Sequence, residues 1–546
     1  MRRLTLVSLG LVLAGASSSS AQIIASRPAE RVARAVRADV LRGHMEFLAS
    51  DALEGRGTGA RGGELAAKYI AAQFERLGLE PAGESGTWFQ PIPLSGRRFT
   101  SSLAATGGRA LDVDSEFVAY LPEAEDSAAV TADVVFLGYG IVAPEAGWDD
   151  YRGADVTGKI VLTLAGSPAG QNSSLFRRPA RTDYGTREYK VDEAARHGAA
   201  GAFVIYRQPY PAPWSAIAGA WLGEQLRLES PAAAAPDSFR VAGWINDSAA
   251  ARLIRQAGES LDSLAAAARR PGFVARPLAL SLTALVRART REVPTVNVLA
   301  RLRGSAQAGG SVVLGAHYDH LGTGRPVDGD SIYNGALDNA SGTAGMLAIA
   351  EAFVAAGARP VRSVLFAAFG AEEAGLLGSA AFVARPTVPL AEISAMLNLD
   401  GLNVLVPTKD IAALGADLSS VDVPFRAAAA AEGYSLTPKD SPIMREALEQ
   451  DFFNRSDQAS FARAGVPVAF LYFGDQVGAL PPGSGKERLD EYLQHRYHQP
   501  SDDLHQPLDY EAGARSLRVF ARTLLALTDA AAPAQWKQAS PYRRAP

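Results

Sequence analysis

The chain has 546 residues, 47% of them apolar, which is enough for two or three domains with sizeable cores. Its 54 basic and 58 acidic side chains nearly balance, with a formal net charge of -4, so the sequence offers no basic field for nucleic acid or an anionic membrane. The absence of cysteine excludes disulfides, thiolate zinc ligands and cysteine nucleophiles.

The first residues are typical of a secretory signal peptide. Arg2 and Arg3 give a basic start, an apolar run follows from Leu4 to Leu13, and small residues continue to Ala21. The apolar run is too short to span a bilayer. We therefore expect an exported protein, periplasmic or extracellular, that does not stay in the membrane after signal removal.

After the signal segment, the predicted secondary structure changes twice along the chain. A helix, a Gly-rich loop and a second helix come first, and the second helix carries Ala66, Ile70 and Phe74 at helical spacing. Short β-like runs such as "GKIVLTLAG" follow and predict a separate, inserted β-rich domain. The predicted divisions are 1–21 (signal peptide), 22–119 (first part of the main domain), 120–280 (inserted domain), 281–530 (second part of the main domain) and 531–546 (Pro/Ala-rich loose tail).

The second part of the main domain, residues 281–530, has the pattern of an α/β fold. Apolar strands such as "SVVLGAH", "SVLFAAF" and "SAMLNLD" alternate with helices expected at 339–356, 373–384 and 510–528. This alternation predicts a mostly parallel mixed sheet covered by helices. Functional sites of such sheets lie at the carboxyl ends of the strands.

Side chains of metal-ligand type follow those strands. Taken singly, they have ordinary explanations as a strand-end histidine, a helix cap, a turn aspartate or a loop histidine. Four separate strand or loop ends of one sheet that each supply a nitrogen or oxygen ligand favour a metal centre. The candidates are His317, Asp319, Asp338, Glu372, Glu373, Asp400 and His498.

These segments, together with "ASDALEGRGTGARGGELAAKYIAAQF", resemble the zinc aminopeptidases of the M28 metallopeptidase family. "GKIVLTLAG" and "AARHGAAGAFVIY" resemble a protease-associated (PA) domain inserted within that catalytic fold. The resemblance implies the zinc-dependent exopeptidase fold, two Zn²⁺ ions per chain and hydrolysis of the amino-terminal bond of peptide substrates. It does not indicate an oligomeric state.

The resemblance also implies a role for each candidate and a cis peptide between Asp338 and Asn339. Adjacent glutamates at a turn point in different directions, so one can bind a metal while the other faces a water and takes its proton. The implied roles are His317 and Asp400 on one zinc, Glu373 and His498 on the other, Asp338 bridging both, Glu372 as general base and Asp319 as the group that orients His317.

The sequence departs from the family pattern at Leu337, Gly401 and Gln458, where relatives commonly carry an acidic residue, a bulkier apolar residue and a histidine. The segment around Gln458 lies near substrate in relatives, so that departure bears on substrate preference. We assign no catalytic role to the other histidines, which are His44, His197, His320, His495 and His505.

Three other functions remain open. A zinc carboxypeptidase of the glutamate-carboxypeptidase type has the same ligands and a PA domain. The sequence shows no obvious cluster of arginines placed to receive a terminal carboxylate, which leaves Arg455 and Arg496 as the candidates for that role. A single-zinc glutaminyl cyclase shares the fold, but the complete five-ligand set favours two metals. A receptor ectodomain that had lost its metals would lack ligands, and none is missing here.

Overall fold

The chain forms two compact units. Unit 1 ends at Ile92 and resumes at Pro294, and unit 2 is the insertion Pro93–Val293. The divisions expected near residues 120 and 280 both lie within unit 2, because a long continuous strand runs through each boundary where a sequence pattern shows no break. The computed structural model describes residues 20–122, 125–168, 182–208, 210, 213–229, 238–306 and 309–543.

The described residues contain the following helices and strands. The helices are α1 (Ser20–Ile24), α2 (Arg27–Ala35), α3 (Ala38–Leu48), α4 (Arg61–Arg76), α5 (Arg187–Arg196), α6 (Trp214–Leu222), α7 (Asp247–Gln256), α8 (Leu261–Ala268), α9 (Gly342–Ala355), α10 (Leu377–Ala384), α11 (Asp422–Ala431), α12 (Pro442–Glu449), α13 (Gln458–Arg463), α14 (Ser484–His495) and α15 (Tyr510–Asp529). The strands are β1 (Glu80–Pro81), β2 (Phe89–Ala105), β3 (Phe117–Tyr120), β4 (Ser127–Phe136), β5 (Val142–Ala143), β6 (Trp148–Asp149), β7 (Ile160–Leu164), β8 (Gly201–Ile205), β9 (Gln225–Leu228), β10 (Val241–Ile245), β11 (Arg276–Leu302), β12 (Ser311–His317), β13 (Gly322–Val327), β14 (Asp330–Tyr333), β15 (Ser363–Phe369), β16 (Ile393–Asn398), β17 (Asp410–Leu414), β18 (Ser435–Leu436) and β19 (Val468–Tyr472).

Unit 1 is built on a mostly parallel mixed sheet, as the alternating pattern predicts. Its strand order is β18-β17-β19-β16-β12-β15, with the last residues of β11 at the far edge. β12 pairs in parallel with both β15 and β16, and β16 pairs in parallel with β19. Because these neighbours run in the same direction, their carboxyl ends meet at one edge of the sheet.

Helices cover both faces of this sheet. Side chains of β12 alternate between two cores, with Val312 and Leu314 in the core that includes α9 and α15, and Val313 in the core that includes Phe382 and Phe461 of α10 and α13. Strands buried on both faces read as continuous apolar runs, which is why "SVVLGAH" and "SVLFAAF" were recognisable as strands.

Helix α10 begins later than the sequence predicts. We expected a helix from residue 373, but it starts at Leu377. Gly375 and Leu376 have φ values of 104° and 61°, in the left-handed region that an α-helix does not contain. The two glutamates therefore lie in a turn between strand and helix, not in a first helical turn.

Unit 2 has its own parallel sheet. The order is β3-β10-β8-β7-β4, with β4 pairing antiparallel to the first part of β11. β10, β8, β7 and β4 are mutually parallel, and β3 is antiparallel at the edge. Helices α5 to α8 belong to the same unit, so it contains more helix than the β-rich domain that the sequence suggested.

Unit 2 buries two titratable side chains, Lys190 and Asp150. The Lys190 ammonium donates to the carbonyl of Tyr139, and burial lowers the pKa of Lys190 to about 7 although the nearby Asp150 opposes that shift. Asp150 accepts hydrogen bonds from the amides of Tyr139 and Ile141 and from the indole of Trp148. Burial raises the pKa of Asp150 to about 6.

The segments at the two ends of the chain differ. The predicted signal segment lies almost entirely outside the described residues, which begin at Ser20. The described part of the C-terminal segment is packed instead of loose: Trp536 is buried and its indole donates to the carbonyl of Gly465 at 2.9 Å. Within the described residues, no helix has both the length and the apolarity needed to cross a membrane.

Candidate metal centre

Three parallel strands bring the candidate residues to one edge of the sheet. β12 ends at His317, β15 leads into Glu372 and Glu373, and β16 leads into Asp400. The turn before α9 adds Asp338, and the loop between α14 and α15 adds His498. The seven residues that the sequence singled out therefore converge, although they are up to 181 positions apart.

The first group of donor atoms surrounds the imidazole of His317. Its Nε2 lies 3.1 Å from Oδ1 of Asp400 and 3.3 Å from Oδ1 of Asp338. The ring is buried, and the three side chains offer ligand atoms that all lie within 4.8 Å of one another. This spacing suits a single cation held by one nitrogen and two oxygens.

The second group surrounds Glu373. Nε2 of His498 lies 3.2 Å from both Oδ2 of Asp338 and Oε2 of Glu373. Nδ1 of His320 lies 2.6 Å from the other oxygen, Oε1 of Glu373. The ring of Tyr497 stacks on His498 with 3.8 Å between centroids. Asp338 thus faces one histidine with each carboxylate oxygen and belongs to both groups.

His320 is the member that sequence reasoning missed. It is buried, and a group formed by His320, Asp338 and Glu373 also has ligand atoms within 4.8 Å of one another. The only sequence signal was its position directly after Asp319, on the loop that follows a strand ending in a metal-type ligand. A lone loop histidine gives no indication of the glutamate it will contact 53 residues later.

Glu372 is placed differently from its neighbour. Its carboxylate is buried, and its contact with Nε2 of His317 is 3.9 Å long, beyond hydrogen-bond distance. Burial raises the pKa of Glu372 well above its usual value, and the charges of Asp400, Glu373 and Asp457 add to that shift. Glu372 therefore sits beside the donor groups with its carboxylate free of the hydrogen bonds that occupy Glu373.

The histidines and acids perturb one another strongly. Burial opposes the charge on His498, yet the close carboxylates of Asp338 and Glu373, each 3.2 Å from Nε2, raise its pKa to about 10. Burial likewise disfavours the charged form of Glu373, but the hydrogen bond with His320 and the close contact with His498 outweigh it and lower the pKa of Glu373 to about 2. Positive charge at this place is thus strongly stabilised by the surrounding carboxylates.

Asp319 contacts His317 in a way the sequence did not suggest. Nδ1 of His317 lies 3.1 Å from the backbone carbonyl oxygen of Asp319, whereas the nearer carboxylate oxygen is 3.9 Å away. The Asp319 carboxylate instead accepts hydrogen bonds from the amide of Glu372, at 3.0 Å, and from the hydroxyl of Thr58, at 2.8 Å. It therefore fixes the turn that carries the glutamates, and the imidazole is oriented by main chain.

A cleft of about 470 Å³ opens above these residues. Its floor contains Asp338, Glu372, Glu373, Asp400 and His498. Its walls are mainly aromatic or aliphatic, and the lining includes Leu337, Gly401, Phe452, Arg455, Phe470, Tyr472, Phe473, Leu489, Leu493 and Tyr497.

The departures from the family pattern take different places around this cleft. Leu337 and Gly401 line it, whereas Gln458 is buried, accepting a hydrogen bond from Asn398 and donating one to the carbonyl of Phe453. Arg455 lines the cleft beside Tyr497, while Arg496 donates to the carbonyl of Ser501 away from it.

The residues present fit zinc. The buried Nε2 of His498 makes no hydrogen bond among the described residues, although two carboxylates lie close to it. The carboxylates of Asp338, Glu373 and Asp400, packed against three imidazoles, supply the nitrogen and oxygen donors that zinc binds, and divalent cations would offset the repulsion between the carboxylates. The peptide between Asp338 and Asn339 is cis, as expected from the sequence.

Comparison with known proteins agrees with this geometry. Residues 297–524 match the family model described as Peptidase family M28. This part of the chain belongs to peptidase family M28. The M28 segment contains every candidate ligand and Glu372, and it coincides with the part of unit 1 that builds the cleft.

Curated relatives are similar in sequence to parts of this chain. Leupeptin-inactivating enzyme 1 of Streptomyces exfoliatus is 30% identical over 164 residues, which is 30% of this chain and 32% of that protein. The probable glutamate carboxypeptidase AMP1 of Arabidopsis thaliana is 25% identical over 354 residues, 61% of this chain and 47% of that one. The chain spans about a third or less of the length of the first curated relatives that it matches.

A solved structure matches nearly the whole length of the chain. The aminopeptidase from Aneurinibacillus sp. strain AM-1 superposes with a TM-score of 0.52 at 21% identity, covering 93% of this chain and 97% of that one. At this identity the match supports the fold, an α/β sheet flanked by helices.

Proposed function

We propose that the protein is a zinc-dependent metallopeptidase that removes amino-terminal residues from peptides. The observation that carries the proposal is the pair of donor groups that share Asp338, with the Glu372 carboxylate unengaged beside them. In this proposal His317 and Asp400 would hold one zinc, Glu373 and His498 would hold the second, and Asp338 would contribute a carboxylate oxygen to each. Zinc ions in such a centre polarise a carbonyl group and acidify a water molecule.

The chain's own residues supply the proton transfers. Glu372 accepts a proton from the attacking water and returns it to the amine that leaves, which requires a carboxylate that no metal or hydrogen bond occupies. Asp319 holds Glu372 in place through the backbone amide, and the main-chain carbonyl of Asp319 fixes the ring of His317. Apolar side chains, among them Phe452, Phe470 and Leu493, form the wall of the cleft beside these groups.

The cleft supports an exopeptidase with a preference for apolar ends. Its volume of about 470 Å³ suits the end of a peptide, and the wall formed by Phe452, Phe470 and Tyr472 favours an apolar or aromatic terminal side chain. The solved relative of matching fold is itself called an aminopeptidase. Peptides are therefore the proposed substrates.

We also propose that unit 2 is an inserted PA domain and that the protein is exported. The two motifs that resemble a PA domain lie on β7 and β8, which pair in parallel at the centre of that unit. The basic and apolar start of the sequence supports export to the periplasm or the extracellular space.

A carboxypeptidase of the glutamate-carboxypeptidase type is the second candidate. Arg455 favours it, because it is a guanidinium in the cleft wall and one matched relative is called a probable glutamate carboxypeptidase. Zinc-loaded enzyme should be tested on one peptide in three forms, with a free amino end, acetylated, and with an amidated carboxyl end. Release from the free-amino and amidated forms but not the acetylated one supports the aminopeptidase, whereas a requirement for the free carboxylate supports the alternative.

A further inference from the structure

The loop that carries Asp338 is held from two sides by buried charges. We call residues Asn334–Asp338 the Asp338 loop. Arg56, which is fully buried, donates from its guanidinium to the carbonyls of Asn334, at 2.6 Å, and Gly335, at 2.9 Å. Asp502, also fully buried, accepts from the amides of Leu337, at 3.0 Å, and Asp338, at 3.1 Å.

These hydrogen bonds leave little freedom in the loop backbone. The main-chain carbonyl of Asp502 accepts a further hydrogen bond from the amide of Ala336 at 2.9 Å. Two successive carbonyls are thus bound to a cation, and the three amides that follow are bound to one aspartate. Gly335 adds a steric limit, because a Cβ at that position would lie 2.1 Å from the carbonyl oxygen of Asp338.

Each buried charge also connects the loop to a second part of the site. Arg56 donates from Nε to the carbonyl of Tyr318 at 2.8 Å, on the turn between His317 and Asp319. Asp502 lies four residues after His498, in the same loop. Arg56 therefore links the Asp338 loop to the turn of the first donor group, and Asp502 links it to the loop of the second.

We infer that Arg56 and Asp502 are positioning residues that set the place of the Asp338 carboxylate between the two donor groups. Neither residue lines the cleft, so they act through the Asp338 loop and not on substrate. The inference rests on the proposed function, in which Asp338 bridges two zinc ions. Arg56 belongs to "EGRGTG", the Gly-rich motif of the amino-terminal segment. The proposed chemistry gives this motif no role, and the inference supplies one.

Asp502→Asn is the principal test. The amide keeps the shape of the carboxylate but replaces one oxygen with an NH₂ group, which cannot accept from a backbone amide. Loss of such a supporting hydrogen bond typically costs about 10- to 100-fold in metal affinity or activity. We expect zinc affinity, measured by competition with a chelator, and kcat to fall by that factor, with KM changed less than about threefold because the cleft wall is intact.

Arg56→Lys tests the other side. A lysine ammonium lacks the planar fork of donors with which Arg56 reaches four carbonyls on three segments, those of Leu48, Tyr318, Asn334 and Gly335. We expect the same pattern of weakened zinc binding and lower kcat, partly restored by excess zinc.

Two matched controls separate positioning from general stability. Asp410 is a buried aspartate in the same unit that accepts from the amides of Asp475 and Gln476, and Arg362 is a buried arginine that donates to carbonyls at the end of α15. Asp410→Asn and Arg362→Lys should lower the melting temperature without weakening zinc binding. If they weaken it as much as the test variants, the inference is overturned.

Hydrogen exchange of the metal-free protein gives a readout that does not need activity. Asp502→Asn should speed exchange at the amides of residues 336–338 at least tenfold, while Asp410→Asn leaves them unchanged. Unchanged exchange together with wild-type zinc affinity in Asp502→Asn refutes the inference. If Asp502→Asn does not fold, Gln506→Met serves instead, because it removes a 2.7 Å hydrogen bond to Asp502 and should give a smaller change in the same direction.

The proposed function and the positioning role of Arg56 and Asp502 can be refuted independently. A wild-type protein that binds no zinc and cleaves no peptide contradicts the proposed function, and the exchange experiment still decides whether Arg56 and Asp502 order the Asp338 loop. A wild-type protein with two zinc ions and peptidase activity, together with an Asp502→Asn variant of equal zinc affinity, removes only the positioning role.

Discussion

Replacing Glu372 by glutamine should abolish most of the activity and leave the metal centre in place. The carboxylate of Glu372 is 3.9 Å from His317 and forms no part of the two groups of candidate ligands, so the isosteric amide removes no metal ligand in our account. The amide cannot accept the proton of the attacking water. General-base catalysis contributes about 10²- to 10⁴-fold, so kcat should fall by that factor, which corresponds to about 3 to 5.5 kcal/mol in the activation free energy.

Glu373→Gln is the matched control for this experiment. Glu373 receives His320 at 2.6 Å on one oxygen and His498 at 3.2 Å on the other, so the amide disturbs a ligand and both of its neighbours. Zinc content should fall, and added zinc should restore part of the activity. The assay combines zinc stoichiometry with steady-state kinetics on one peptide for both variants.

Defined results would contradict the roles of Glu372 as base and Glu373 as ligand. If Glu372→Gln loses zinc, or keeps a kcat within a few-fold of the wild type, then Glu372 is not the base. If both variants lose zinc equally, the two glutamates do not divide the roles of base and ligand, and the geometry around Glu372 must have another purpose.

Three further predictions concern metal, pH and packing. Removing zinc with a chelator should lower the melting temperature by at least about 5 °C. A ligand that binds only the native state stabilises it by about 4 kcal/mol when its concentration is a thousandfold above Kd. An unchanged melting temperature would contradict a resident metal. Burial lowers the pKa of Lys190 to about 7 in the folded chain, below the value of about 10.4 in an unfolded chain. Between pH 7 and 9 the unfolded state therefore binds more protons than the folded state. The free energy of unfolding of unit 2 should rise by roughly 2 kcal/mol over that range. Lys190→Met should lose that rise in urea unfolding, and a parallel rise in the variant would refute it. Trp536→Ala should cost about 3 kcal/mol of unfolding free energy, since it removes a buried ring and its hydrogen bond to Gly465, and a change under 1 kcal/mol would show that the C-terminal segment adds little.

The sequence predicted the strands and the strand-end residues because those signals are local. Runs such as Ser311–His317 are apolar on both faces, and the polar residue that ends each run is the one that the sheet places at its edge. The convergence of His317, Glu373 and Asp400 followed from parallel pairing, which fixes where strand ends meet. The M28 resemblance added the sorting of residues into ligands and base.

The contacts of Arg56, the start of α10 and the unit boundary could not be predicted from local sequence patterns. Arg56 hydrogen-bonds to main-chain carbonyls more than 260 residues away, and any residue offers a carbonyl, so no pattern marks its partners. The start of α10 depended on the left-handed backbone at Leu376, a residue type that favours helix. The unit boundary at Ile92 lies inside a continuous strand, where composition does not change.

The central claim is that two zinc ions share Asp338 at the carboxyl edge of the sheet. Diffraction from crystals of the zinc-loaded protein, recorded on both sides of the zinc absorption edge, tests it most directly. The account predicts two anomalous peaks about 3.5 to 4 Å apart, one beside His317 and Asp400 and the other beside Glu373 and His498, with Asp338 between them. A single peak, or a pair of peaks that leaves Asp338 without contact to one of them, would contradict it.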